Sequence, residues 1–106
     1  NYYNNTPAQQ QPLNPKLQMA EDIAPLTATV APNPSSNYFT LSLNSGSQEK
    51  IKLFVVDVMG RAIEKMIDIT PNSTVQIGGK YHPGIYMVQA LQGKQAVVLK
   101  LIKEGN

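Results

Sequence analysis

From Thr27 onward the sequence is a series of short apolar runs, each cut off by Gly, Pro, Asn or Ser before a helix of ordinary length could form. The clearest instance is the stretch Ile51-Lys52-Leu53-Phe54-Val55-Val56-Asp57-Val58-Met59-Gly60-Arg61-Ala62-Ile63. A run rich in β-branched and aromatic residues stops at Asp57, meets Gly60 three positions later, and resumes as a second apolar run through Ile69. This predicts a β-hairpin. Asp57 can accept a hydrogen bond from the backbone two residues on, and Gly60 can adopt the positive φ that a tight reversal needs.

The same grammar extends in both directions. Thr27-Ala28-Thr29-Val30-Ala31 is a predicted first strand, stopped by Pro32-Asn33-Pro34. Tyr38 to Leu43 alternates, with Phe39, Leu41 and Leu43 on one face and Tyr38, Thr40 and Ser42 on the other. The central strand is apolar on both faces, Leu53 and Val55 against Phe54, Val56 and Val58, which predicts neighbours on both sides and cover on both faces near its end. Ala62 to Ile69 is expected to set Ile63, Ile67 and Ile69 against Glu64 and Asp68. A short run around Val75 and Ile77 follows, and a reversal at Lys80-Tyr81-His82-Pro83-Gly84 leads into Ile85 to Leu91. Gln92-Gly93-Lys94 then turns the chain into the final run, Ala96 to Ile102. Seven short strands and no helical period predict an all-β fold, an immunoglobulin-like β-sandwich of antiparallel strands occupying residues 27–106. A final strand at the end of such a sandwich is expected at a sheet edge.

Residues 1–26 differ in composition. Pro7, Pro12, Pro15 and Pro25, a Gln9-Gln10-Gln11 tract and several Asn, without a sustained period, predict a largely disordered, partly extended linker. It would join an upstream domain to the sandwich.

Composition excludes several function classes. With no Cys there is no disulfide framework, thiolate nucleophile or cysteine metal site. No run approaches the roughly 18 apolar residues of a membrane span, so no direct membrane insertion is expected. The first residues hold no basic-then-apolar leader, so the expectation is a piece of a longer precursor or a chain without its export signal. Net charge is +2, with basic residues spread along the chain and not interleaved with aromatics, which argues against nucleic-acid binding. His82, the one imidazole, sits in a turn without a set of nearby carboxylates, so neither a metal nor a cofactor is expected. A triad of Ser35, His82 and Asp57 can be drawn, but no nucleophile elbow or oxyanion loop accompanies it, and no enzymatic activity is expected.

Three local signatures stand in order: Ala31-Pro32-Asn33-Pro34 before an aromatic strand; Val55-Val56-Asp57-Val58-Met59-Gly60-Arg61; and Pro83-Gly84-Ile85-Tyr86-Met87-Val88 before a Gly hairpin and a closing Lys100-Leu101-Ile102. In that order and spacing, from Thr27 to Lys103, the chain resembles the C-terminal sorting domain, type A, of the type IX (Por) secretion system of Bacteroidetes. The resemblance implies an immunoglobulin-like sandwich that directs a fused cargo protein across the outer membrane to the cell surface. The implied partners are the translocon, an outer-membrane shuttle protein and a surface sortase that commonly removes the domain, with the cargo then attached to lipopolysaccharide. It further implies that recognition is carried by Pro32, Asn33 and Pro34, by Asp57, Gly60 and Arg61, by Gly84 and Tyr86, and by Lys100, Leu101 and Ile102. Tyr81-His82-Pro83 departs from the family pattern, which more often has a Leu before the Gly. Read from the residues alone, Arg61 offers a donor fork to a partner's carboxylates, and an edge at Lys100-Leu101-Ile102 could take up a partner strand. The competing reading is an extracellular immunoglobulin- or fibronectin-like adhesion or carbohydrate-binding module, for which Tyr38, Tyr81 and Tyr86 are the available aromatics.

Overall fold

The computed structural model describes residues 23–105. They form seven strands, β1 (Thr27–Ala31), β2 (Phe39–Asn44), β3 (Ile51–Asp57), β4 (Ala62–Ile69), β5 (Ser73–Ile77), β6 (Gly84–Gln92) and β7 (Gln95–Lys103). All pairings between strands are antiparallel. One sheet has three strands in the order β1-β2-β5; the other has four, in the order β4-β3-β6-β7. No helix occurs among the described residues.

The sheets stack because each strand alternates. Phe39, Leu41 and Leu43 of β2 and Ile77 of β5 face Ile51, Leu53 and Val55 of β3, Val88 and Ala90 of β6 and Leu101 of β7 in one core cluster. Six of these side chains have no measurable exposure, each contributing about 1.5–3 kcal/mol by leaving water. Leu26, before β1, belongs to the same cluster; its amide donates to Gln95 Oε1 at 2.8 Å, and Ala24 O accepts from the Gly46 amide at 2.9 Å. Residues 1–22 of the expected linker lie outside the described residues.

Two expectations need correction. In β4, Ile63 is 41% and Ile67 is 55% exposed, whereas Ile69 is buried. The cause is a pair of register shifts against β3, between Ile51 and Leu53 and between Val55 and Val56, with Asp68 at φ 59° within the first. Each bulge consumes one residue without a partner and so moves the alternation to the other face. Glu64 and Met66 consequently oppose Val55 and Leu53. The second correction concerns β3, which has neighbours on both sides but cover on one face only. Phe54 and Val56 are half-buried and Val58, past the strand end, is exposed.

Candidate functional site

The three signatures converge at one end of the four-stranded sheet. The register puts Asp57 of β3 opposite Tyr86 of β6, and Tyr86 opposite Leu101 of β7. All three side chains are buried. Gly84 pairs with Lys103 two positions further on.

At the β3–β4 reversal, one carboxylate holds the turn. Asp57 Oδ1 accepts from the amides of Met59 and Arg61, both at 2.9 Å, and Oδ2 accepts from Arg61 Nε at 2.7 Å. The Gly60 amide donates to the Asp57 carbonyl at 2.9 Å, and Gly60 has φ 81°, a conformation that a side chain would oppose. Burial works against the Asp57 charge, but hydrogen bonds from the Arg61 amide, the Arg61 side chain and the Met59 amide, with the guanidinium charge, outweigh it and hold the carboxyl below its ordinary range. The Arg61 side chain remains 76% exposed, so its guanidinium is oriented by Asp57 yet presented to solvent.

Tyr86 anchors the turn leading into β6. Its hydroxyl donates to the His82 carbonyl at 2.6 Å, and its ring packs against Tyr81 at a centroid distance of 4.8 Å. Tyr81 donates to Glu64 Oε1 at 2.6 Å. Burial first, then this hydrogen bond and the carboxylate charge, push the Tyr81 hydroxyl well above its usual range, so it stays a donor. Gly84 takes φ 153°, which lets the chain leave this turn directly into the strand.

The Pro32–Pro34 loop lies along the outer edge of β7. The Asn33 side chain donates from Nδ2 to the Lys100 carbonyl at 2.8 Å and accepts at Oδ1 from the Ile102 amide at 2.9 Å. One side-chain amide thus engages both edge groups, as a neighbouring strand's peptide would. Ser35 continues the pattern: its amide donates to the Ile102 carbonyl at 3.0 Å and its carbonyl accepts from the Glu104 amide at 2.9 Å, giving a parallel bridge to Lys103. The edge expected to be open at Lys100-Leu101-Ile102 is therefore occupied by the chain's own loop.

Two participants were not expected from the sequence as structural anchors of this site. Lys103 is buried, and its Nζ donates to the Asn37 carbonyl at 2.9 Å and to the Gly78 carbonyl. The alternation from Leu99 through Leu101 points position 103 inward, which is the signal that could have found it. Ser35 is also buried; its hydroxyl donates to the Tyr38 carbonyl at 2.7 Å and accepts from the Asn37 amide at 3.0 Å. No periodic pattern marks it.

This arrangement offers shape and fixed donors. Ser35 and Asp57 are committed to the partners just named, so the triad drawn from the sequence is not assembled. Tyr86 is buried and Tyr81 half-buried against it, which leaves Tyr38 as the exposed tyrosine of the three considered for sugar stacking. Among the described residues no helix is long and apolar enough to cross a membrane.

No curated protein matches the chain significantly. A family model described as the secretion system C-terminal sorting domain matches residues 29–104, from within β1 to just beyond β7. That span holds all three signatures and both sheets, and the chain belongs to the family of type IX secretion C-terminal sorting domains.

Proposed function

We propose that this sandwich is a non-enzymatic address that directs a cargo protein fused upstream of it across the outer membrane by type IX secretion, to the cell surface or beyond. Family membership supplies the coarser part: a C-terminal sorting role, dealings with the type IX machinery, and export. The family is not enzymatic. The finer part names the partners as the translocon, an outer-membrane shuttle protein and a surface sortase.

The observation that carries this reading is that the family match spans the folded unit from β1 past β7, so the signal is a whole domain and not a peptide tag. Within it we assign two tasks. Pro32, Asn33, Pro34, Gly60, Arg61, Gly84, Lys100 and Ile102 are exposed and available for contact. Asp57, Tyr86 and Leu101 are buried and hold those groups in place.

The test is a fusion of the full chain to an inert periplasmic reporter in a bacterium with this secretion pathway. Reporter at the cell surface or in the medium is the expected outcome; retention in the periplasm would refute the proposal. Removing Lys100 to Asn106 should abolish export, but Leu101 and Lys103 are structural, so that truncation also damages the sandwich. Point replacements at exposed positions separate the two effects.

A further inference from the structure

Among the described residues, none forms a layer over the outward face of the four-stranded sheet. The register places Phe54 and Val56 of β3, Ile85 and Met87 of β6, and Val98 and Ile102 of β7 on that face. Ile85, Met87, Val98 and Ile102 are between 37% and 54% exposed. A sheet face this apolar and this open is unusual for a module with no partner. The charges in its paired rows are all of one sign: Lys65 stands directly opposite Phe54, Lys52 opposite Leu91, and Lys100 opposite Met87, while Glu49 lies beside Lys52 and Leu91 at one end of the face and Asp68 sits in the adjoining bulge. No carboxylate shares these paired rows, since Asp57 and Glu64 pair within the inward-facing set.

We propose that this face is the surface by which the sorting domain docks on a protein partner whose own face sets apolar side chains among carboxylates. The proposal rests on the sorting reading and specifies which side of the domain its machinery grips. Charge decides between occupants. A second copy of the chain would bring three more ammonium groups against these three, and like charges brought together in an interface are costly. A lipid surface fits poorly because the lysines lie within the apolar field and not around its rim, so burying the field in hydrocarbon would carry ammonium groups with it. Among the described residues the face also lacks the Tyr and Trp that anchor proteins at a membrane interface. A protein surface can meet each lysine with a carboxylate while covering the apolar side chains between them.

The test compares two double charge reversals of equal net charge in the full-chain reporter fusion: K65E/K100E on the face, and K80E/K94E at exposed positions elsewhere. Thermal unfolding of both variants checks that the fold persists. The face variant is expected to lose export by about tenfold or more, and the control to stay within about twofold of the unmodified chain. Equal export of all three would overturn the docking face while leaving the sorting function intact. An unmodified chain that is not exported would bring down both. Vesicles of phosphatidylcholine with phosphatidylglycerol supply the remaining arm: binding by the unmodified chain that the face variant loses would assign the face to lipid and overturn the protein partner.

Discussion

Asp57 and Lys103 are two buried charged side chains at the same end of the same sheet, and they are stabilised in opposite ways. Asp57 finds its partners within four residues: two turn amides and one guanidinium, all in its own hairpin. Among the described residues Lys103 finds no carboxylate. Its partners are the carbonyls of Asn37 and Gly78, which lie 66 and 25 positions away in sequence and flank the three-stranded sheet. The first arrangement can form as soon as one hairpin closes. The second exists only when both sheets are assembled, so Lys103 reports on the whole sandwich and Asp57 on one corner of it.

The largest expected effect follows from this. Lys103→Met keeps the apolar stem and removes the donors, leaving two inward carbonyls without their partner. Stability should fall by about 2–4 kcal/mol, measured as the change in urea unfolding free energy at neutral pH. An unchanged midpoint would mean that water replaces the ammonium, and the contrast with Asp57 would disappear.

What could be read from the residues divides along the same line. The strand number, the turns and the inward sets of β2 and β3 follow from period-two alternation and from Gly, Pro and Asn, because both are local properties. The Asp57–Arg61 turn was legible for the same reason. The faces of β4 were not, since its bulges are set by register against β3 and no glycine marks Asp68. The Asn33 bonds to β7 span 67 and 69 positions, and no local pattern encodes a partner that distant. Pro32-Asn33-Pro34 therefore reads as a stiff loop in the sequence and as the cover of a strand edge in the structure.

That cover gives the intermediate effect. Asn33→Ala removes two hydrogen bonds at an exposed edge, which should cost about 1 kcal/mol. The more diagnostic measurement is hydrogen exchange: the Ile102 amide should lose protection while the Val88 amide in the central part of the sheet keeps its own. Equal loss at both positions would show that Asn33 supports the fold globally, as Lys103 does, and would move it to the other side of the comparison.

The smallest effect belongs to Arg61, and pH separates it from the rest. Because the folded-state pKa of Asp57 lies below its ordinary value of 3.8, the stability it contributes is present above that value and is lost as pH falls through the folded one. Arg61→Gln removes the guanidinium and its bond but keeps the two amides, so the carboxyl should remain depressed by less. The variant should be modestly less stable at neutral pH, and its stability curve should converge on the parent's as Asp57 protonates. Added salt should narrow the gap at neutral pH as well, because the guanidinium is exposed to counterions. Lys103→Met should show neither response, since its partners are uncharged carbonyls. A gap for Arg61→Gln that stays constant across the acid range would mean that the side chain stabilises the turn by packing, leaving the turn amides to account for the lowered Asp57 pKa.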